Sequence, residues 1–291
     1  MRDIYREVTE QIIAELKTGV RPWVQPWSET PGLNVPCNAI TGRAYSGVNT
    51  LLLWTARRHG WLQPRFLTFN QAKEAGGHVR KGEHGRRVVF VKDLHPKEVE
   101  QETEQENTPR TVHMLKTYTV FNISQCAELP DKLTAPPKAP NPDRRAALID
   151  EFIAATGAKI HEVSSETRAF YATTLDRIIV PAFGLFRGRA EYVVVLFHEL
   201  IHWTGHPSRL NRQLDARFGS KAAAAEELIA ELGAAFLCAE FSIDGSVSHA
   251  AYIQDYLKLL EDDPKAIFTA ASKAQAAVDF LRQLILVETA A

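Results

Sequence analysis

The sequence predicts an α+β protein of two domains, a small domain of mixed helix and strand followed by a mostly helical domain with a short sheet. The chain has 291 residues, more than one average domain needs. Its longest strand-like stretches lie before residue 122, whereas helical periodicity dominates after residue 189. Five prolines lie between residues 129 and 145, where neither a helix nor a central strand can run through them. We therefore expect independently folding domains over 1–128 and 146–291, joined by a proline-rich linker over 129–145.

The composition is that of an ordinary globular protein, with 45% hydrophobic and 24% charged residues. It excludes a disordered chain, a collagen or a disulfide scaffold as the main architecture. The longest unbroken apolar run, Tyr192–Phe197, is far shorter than the roughly 18 residues that span a bilayer. The N-terminus mixes acidic and basic residues, unlike a signal peptide, and the three cysteines lie far apart. We expect a soluble, cytoplasmic protein with reduced thiols and no membrane partner.

The net charge of −1 conceals a difference between the two ends of the chain. Residues 1–97 contain 15 Lys and Arg against 8 Asp and Glu, whereas residues 146–291 contain 13 against 19. Residues 95–111 are rich in glutamate and almost free of large apolar side chains, which predicts an acidic loop between two strands. The basic first domain is the one expected to bind a polyanion.

Three helices and two strands are predicted in the first domain. Apolar spacing and a capping threonine before the third segment place the helices over Ile4–Leu16, Val48–Arg58 and Asn70–Ala75. The strands cover Arg87–Lys92 and Lys116–Asn122, and we expect them to pair as a long hairpin around the acidic loop.

The second domain is predicted to begin with a helix over Ala146–Thr156 and a hairpin-like group of short strands. The strands cover Lys159–Glu162, Ala169–Thr173 and Arg177–Val180. The four helices expected after them cover Ala190–Trp203, Lys221–Glu240, His249–Leu260 and Pro264–Leu286.

The most specific motif is the HExxH sequence formed by His198, Glu199 and His202. Two imidazoles at positions i and i+4 share one face of a helix and can hold one metal ion, while the glutamate between them can reach a water on that metal. We predict a divalent metal, zinc first and manganese as the alternative, with Glu199 as the general base.

A third protein ligand is expected on another helix, because two histidines do not complete a metal site. Glu227 and Glu231 are four residues apart and face the same way. We prefer Glu227 as the ligand and Glu231 as the carboxylate that orients a ligating imidazole. Glu226 is expected on a solvated face, about 100° away around the helix. His206 is an alternative third ligand, although Gly205 indicates that the helix ends before it.

Two segments of the second domain carry a resemblance to a known family. HELIHWTGHPSRLNR followed by AEELIAELGAAFLCAE resembles the zincin-like C-terminal domain of ArdC-type antirestriction proteins. The pattern from Glu227 to Glu231 is similar to the third-ligand segment of gluzincin-like peptidases. RPWVQPW, GRAYSGVNTLLLW, FLTFNQAKEAGGHVRKGEHG and YTVFNISQ in the first half are similar to the N-terminal domain of the same family.

The resemblance implies an N-terminal domain that binds single-stranded DNA and a C-terminal metallopeptidase fold. It also implies a plasmid-borne protein that protects entering DNA from host restriction, with a host restriction enzyme or another protein as a possible substrate. The group that stabilises the oxyanion is not identified, and its candidates are Tyr171, Tyr192 and His206.

The residues of the first domain support nucleic-acid binding in their own right, because basic side chains are interspersed with aromatic ones. A glycine-rich basic segment, residues 76–87, suits contacts with phosphates. The residues predicted to bind DNA are Trp23, Trp27, Tyr45, Arg80, Lys81, Arg86 and Arg87. A tryptophan beside a proline is also typical of a core or a turn, so that alternative stays open for Trp23 and Trp27.

The residues predict a metal site and a nucleic-acid-binding domain, and the resemblance implies that these belong to a single-stranded-DNA-binding antirestriction protein with a metal-dependent peptidase domain. Two alternatives remain. The protein coats single-stranded DNA and its metal site is structural or non-catalytic, or it is an accessory of a DNA-transfer or primase assembly.

Overall fold

The computed structural model describes residues 3–19, 21–24, 34–55, 60–61, 63–94, 112–136, 141–243 and 253–288. In the first half the helices are α1 (Ile4–Lys17), α2 (Val48–Thr55) and α3 (Phe69–Glu74). The strands there are β1 (Cys37–Asn38), β2 (Arg65–Thr68), β3 (His78–Val79), β4 (Arg86–Leu94), β5 (Val112–Asn122) and β6 (Cys126–Ala127). The mixed character predicted for this half is confirmed.

A four-stranded sheet with the order β1-β2-β5-β4 organises the first half. β4 and β5 form the predicted long hairpin, and their antiparallel register runs from Arg86 opposite Val120 to Leu94 opposite Val112. The acidic segment over 95–111 lies outside the described residues. Thr68 caps the start of α3 with a capping box. The Thr68 hydroxyl accepts from the backbone amide of Gln71, and the Gln71 side chain accepts from the backbone amide of Thr68.

The predicted linker is partly a packed segment. Residues 131–134 form helix α4 (Asp131–Thr134), and Leu133 is buried. The Arg65 guanidinium donates to the carbonyl oxygens of Leu133 and Ala135, which ties this segment to β2. The prediction of an extended linker is therefore wrong for residues 131–134, because one apolar side chain and two carbonyl contacts suffice to fold them against the sheet.

The second half contains the predicted helices and a short sheet. Its helices are α5 (Pro142–Ala155), α6 (Arg189–Thr204), α7 (Asp215–Phe218), α8 (Ala222–Glu240), α9 (Ile253–Asp262) and α10 (Ala266–Glu288). Its strands are β7 (Ile160–Val163), β8 (Phe170–Ala172) and β9 (Arg177–Pro181), in the order β7-β9-β8. β8 and β9 pair as a hairpin, whereas β7 lies parallel to β9. α5 begins earlier than predicted, because Asn141 caps it and Pro142 occupies its first turn.

One hydrophobic core unites the two halves. Ile12 and Leu16 of α1 and Trp54 of α2 belong to the same buried cluster as Phe197 of α6 and Phe236 of α8. The ring centroids of Trp54 and Phe236 are 5.7 Å apart. Burial of this much apolar surface across the boundary stabilises each half through the other. The shared core argues against independent folding of residues 1–128 and 146–291, which stays a prediction.

A buried ion pair also crosses the boundary. The Arg21 guanidinium, which follows α1, lies 3.4 Å from the Glu231 carboxylate of α8, and both side chains are 8% exposed. Nearby, the Trp23 and Tyr256 rings meet edge to face at 6.0 Å. The segment after α1 is thus part of the interior of the molecule. Among the described helices, none is long and apolar enough to cross a membrane.

Candidate metal centre

α6 carries the HExxH motif in the interior of the second half. The apolar run before the motif and the two residues inside it, Leu200 and Ile201, are buried and anchor the helix in the core. α8 packs closely beside it at Gly233, where an added Cβ atom would lie 2.7 Å from the Ile201 side chain. Only a glycine allows this approach, so Gly233 is what brings the two helices together.

The structure brings His198, His202 and Glu227 together. The Nε2 atoms of the two histidines are 3.1 Å apart, and each lies 3.5 Å from an oxygen of the Glu227 carboxylate. The ligand atoms of these three residues all lie within 4.8 Å of one another. Among the described residues, this is the cluster of histidine and carboxylate side chains that could hold a metal ion. Two imidazoles and one carboxylate form a donor set that fits a divalent metal and leaves a position open for a water or a substrate.

Charges in the cluster shift the pKa values of its members. Burial raises the pKa of Glu227, but the hydrogen bond with His198 and the charge of His202 outweigh it and lower that pKa. Burial lowers the pKa of His202, but the hydrogen bond with Glu226 and the charges of Glu199 and Glu227 outweigh it and raise that pKa. The cluster therefore attracts positive charge, as a cation site must.

Glu226 supports the centre from the second helix, and the prediction that it faces solvent is wrong. Its Oε1 atom lies 3.2 Å from Nδ1 of His202. A carboxylate only accepts, so this contact assigns the hydrogen to Nδ1 and leaves Nε2 of His202 free to bind a metal. α6 and α8 pack so closely that the Glu226 side chain, which is 27% exposed, reaches the His202 imidazole of α6.

Arg212 holds Glu226 in place and closes the end of α6. It donates to Glu226 from Nε at 3.0 Å and from Nη2 at 2.5 Å, and it also donates to the Ile201 carbonyl and the Thr204 hydroxyl. These bonds outweigh the effect of burial and, with the bond to His202, lower the pKa of Glu226 to about 2. An added Cβ at Gly205 would lie 2.7 Å from this guanidinium. Gly205 is therefore needed for the close approach of Arg212.

Glu231, the carboxylate predicted to orient an imidazole, is buried and makes the ion pair with Arg21 described above. Its support of a ligating histidine stays a prediction. His206 lies beyond the end of α6, and its Nδ1 atom is 2.7 Å from the Ser208 hydroxyl. It does not belong to the cluster of ligand atoms, so the alternative that makes it the third ligand is not supported by the geometry.

A cavity of about 1130 Å³ opens over the cluster. His198, Glu199, His202 and Glu227 all line it, and Glu199 is 6% exposed. A wall of this cavity comes from β8 and from the segment after α6, so a bound chain can lie between the small sheet and the two site helices. The volume of about 1130 Å³ is slightly above the roughly 300–1,000 Å³ of pockets that hold a single small molecule.

The two tyrosines considered for the oxyanion are committed elsewhere. Tyr171 lines the cavity, but its hydroxyl donates to Asp176 at 2.7 Å and accepts from Arg209 at 2.9 Å. Burial and the bond to Asp176 raise the pKa of Tyr171 to about 12, and the bonds from Arg209 lower the pKa of Asp176 to about 2. The Tyr192 hydroxyl donates to Glu162 at 2.7 Å. His206 is the remaining candidate that lines the cavity.

The aromatic residues predicted to bind DNA differ in their exposure. Trp23 is 1% exposed and packs in the core, so it cannot stack on a base, and that prediction is wrong. Trp27 lies outside the described residues. Tyr45 is half-buried beside Phe66, with which it makes an edge contact at 6.5 Å. The alternative that a tryptophan beside a proline is a core residue is therefore the correct one for Trp23.

The basic residues predicted to bind DNA lie at the surface, but they differ in how many contacts they make with other protein groups. Arg80 donates to Glu83 at 2.9 Å and to the Cys126 carbonyl, and Arg87 is paired with Glu7 by two hydrogen bonds. The Arg86 guanidinium is half-buried, 6.0 Å from the Trp61 ring centroid, and burial lowers its pKa. Lys81 is exposed. Their role in binding DNA stays a prediction.

Comparison with known proteins assigns a class to each half. A family model described as a zincin-like metallopeptidase matches residues 147–273, and one described as the N-terminal domain of anti-restriction factor ArdC matches residues 2–121. The second half thus has the fold of a zincin-like metallopeptidase, joined to the N-terminal domain of an anti-restriction factor.

Similarity over the full length identifies the family. A crystal structure of the antirestriction protein ArdC from plasmid R388, free of metal, superimposes with a TM-score of 0.81 at 39% identity and covers 98% of both chains. The Mn(II)-bound structure of that protein gives a TM-score of 0.77 at 38% identity over the same shares. The chain therefore belongs to the ArdC family of antirestriction proteins.

Two further relatives are similar to nearly the whole chain. The uncharacterized protein y4eC of Sinorhizobium fredii is 36% identical over 286 residues, which is 96% of this chain and 91% of that protein. The DNA primase TraC of Escherichia coli is 36% identical over 296 residues, which is 96% of this chain but only 27% of the primase. The fold, the donor set and the Mn(II)-bound relative together indicate a divalent metal.

Proposed function

We propose that this member of the ArdC family is a metal-dependent peptidase that also binds single-stranded DNA and protects entering DNA from host restriction. The observation that carries the peptidase proposal is the juxtaposition of His198, His202 and Glu227 around one point, with Glu199 beside them in a cavity large enough for a peptide. A protein of the restricting host is the proposed substrate class.

His198, His202 and Glu227 are the proposed ligands. A divalent metal held by them supplies Lewis-acid chemistry to a peptide carbonyl and to the attacking water. Glu199 takes the proton from that water and passes it to the leaving amine, which is the role of a general base and acid. Glu226 and Arg212 keep the His202 ring in the tautomer that the ligand role requires.

We propose zinc as the metal, with manganese as its competitor. Two imidazoles and a carboxylate are the donor set of many catalytic zinc sites, whereas manganese accepts the same donors more weakly. The Mn(II)-bound structure of the R388 relative supports the competitor. Elemental analysis of protein purified without chelators, followed by competition between the two ions, distinguishes them.

The peptidase proposal is tested with Glu199→Gln, which keeps the shape of the side chain and every ligand. The variant is expected to retain its metal while cleavage in a broad peptide screen falls by roughly 100-fold or more, because the general base is lost. Glu191→Gln in the first turn of α6 is the matched control and is expected to cleave normally, because its carboxylate pairs with Arg187 and does not line the cavity. Equal cleavage by Glu199→Gln, or none by the metal-loaded parent protein, contradicts the proposal and favours a non-catalytic metal site.

The DNA-binding proposal has support independent of the metal. The first 97 residues carry an excess of basic side chains, and large aromatic rings remain exposed on the sheet of this half. A cationic surface with free rings binds unpaired bases in preference to duplex. Anisotropy of a labelled oligonucleotide against salt concentration tests it, and equal affinity for duplex or an affinity insensitive to salt contradicts it.

A further inference from the structure

One face of the hairpin β4–β5 presents aromatic rings to solvent. Phe90 and Tyr118 are 45% and 48% exposed, and their ring centroids are 5.3 Å apart in an edge-to-face arrangement. The register places Val88 opposite Tyr118 and Phe90 opposite Lys116. Cross-strand partners and alternate residues of a strand point to the same face, so both rings and the Lys116 amine share it.

A cavity of about 430 Å³ lies against these rings. It is lined by both rings, by Lys116, and by polar groups from β1, α3 and Tyr45. None of its lining residues is acidic. The volume is sufficient for one flat aromatic group with its substituents.

The polar wall of the cavity is held rigidly by the capping box of α3. Gln71 Oε1 accepts from the Thr68 amide at 2.9 Å and from Asn38 Nδ2 at 3.0 Å. These bonds fix the plane of the Gln71 amide and leave its Nε2 group without a hydrogen-bond partner among the described residues. A fixed amide with an unused donor is suited to recognise the polar edge of a base.

We propose that this cavity receives one unpaired base of single-stranded DNA, which packs against Phe90 and Tyr118 with its edge toward Gln71 and its phosphate toward Lys116. The inference rests on the proposed DNA binding and locates it. Two rings with a free face, an amide and a cation, without an acidic neighbour in the cavity wall, are complementary to a nucleotide. In a duplex both faces of each base are covered, so duplex cannot enter the cavity.

The first test is the affinity for a labelled oligothymidylate of about 15 nucleotides. Phe90→Ala and Tyr118→Ala are each expected to weaken binding roughly tenfold or more, the usual loss of one base–ring contact. Phe183→Ala is the matched control, because its ring is 47% exposed but lies in the second half. Lys116→Gln is expected to weaken binding less and to reduce the slope of log Kd against log salt by about one.

The second test locates the base directly by photocrosslinking an oligonucleotide that contains 5-iodouracil. Crosslinks are expected in the tryptic peptides that hold Phe90 and Tyr118, which are residues 88–92 and 117–132. If the parent protein binds the oligonucleotide but both ring variants bind equally well and the crosslinks fall elsewhere, the cavity is not the site and only this inference fails. If the parent protein binds no oligonucleotide at low salt, the proposed DNA binding fails with it. If the cavity bound a peptide but no oligonucleotide, its partner would be a protein, and the inference would be overturned.

Discussion

The two halves of the molecule place their functional side chains by different means. In the second half, His198, His202 and Glu227 come from two adjacent helices and converge at the floor of a cavity, where His198 is 6% exposed. In the first half, the basic side chains predicted to bind DNA lie on the surface and are partly neutralised by ion pairs, and one predicted ring is buried. A site on packed helices is defined by local spacing, whereas a binding surface depends on which rings the tertiary fold leaves exposed.

The largest expected effect comes from removing a ligand in the second half. His198→Ala, His202→Ala and Glu227→Ala are each expected to abolish metal binding, because the two remaining ligands cannot compete with water. Elemental analysis of the dialysed proteins measures the bound metal. His161→Ala, which removes an exposed histidine of β7, is the control. A metal content that survives Glu227→Ala but not Glu231→Ala would reverse the assignment of the two carboxylates.

The next effect tests the contrasting half, at Trp23. Trp23→Ala is expected to lower the free energy of unfolding by about 3–5 kcal/mol, because a fully buried indole leaves a cavity in the shared core. Urea titration measures the loss of unfolding free energy. Phe69→Ala, which removes an exposed ring, is the control. The folded fraction is expected to bind oligonucleotides with unchanged affinity. A specific loss of DNA binding at unchanged stability would restore Trp23 as a stacking residue.

A smaller effect distinguishes the two carboxylates that support the ligands. Glu226→Ala is expected to weaken metal binding by about 10–100-fold, the typical consequence of losing the partner of a ligating histidine. Metal titration with a competing chelator measures the affinity, and Glu231→Gln is measured beside it. Unchanged affinity in Glu226→Ala, with a loss in Glu231→Gln, would show that the orienting role belongs to Glu231.

The smallest effect concerns the wall of the large cavity. Arg209 and Tyr171 hold Asp176, and the bonds from Arg209 lower its pKa to about 2. A lowered pKa in the folded state stabilises the protein above the unfolded pKa near 4, and this contribution disappears as the pH falls through about 2. Asp176→Asn is expected to cost about 1 kcal/mol at pH 6, less than the shift implies, because Asp176 is 40% exposed and solvent screens it. Urea titrations from pH 6 to pH 2.5 should show the two proteins converging, and a difference independent of pH would contradict this account.

Most of the helices and the β4–β5 hairpin could be predicted, because periodicity and capping are properties of short segments. The HExxH helix followed from spacing as well. Spacing left Glu227 and Glu231 equivalent, and it is the packing of the two helices that brings Glu227 beside the histidines. Glu226 was misjudged for a physical reason: the angle around a helix says which way a side chain points, but not what another helix places there. Arg212 lies fourteen residues from its carboxylate partner and has no local signal.

The exposed aromatic rings of the β4–β5 hairpin could not be predicted from the sequence either. Phe90 and Tyr118 are ordinary strand residues in the sequence, and their partners across the hairpin become visible only once the register is known. Trp23 is conspicuous in the sequence because of the adjacent proline, yet it is buried. Residue type alone therefore identified rings that can stack, whereas the fold determines which of them have a free face.

The shared core has a consequence for how such a sequence can be passed from one gene to another. Since Ile12, Leu16 and Trp54 cover the same interior surface as the helices that carry the metal ligands, a recombination event that transferred either half alone would deliver a polypeptide with an uncovered apolar face. Heritable transfer therefore favours both halves together as one cassette of about 290 residues. The alignment with the primase TraC has this form, since 96% of this chain matches one continuous share of a much longer polypeptide.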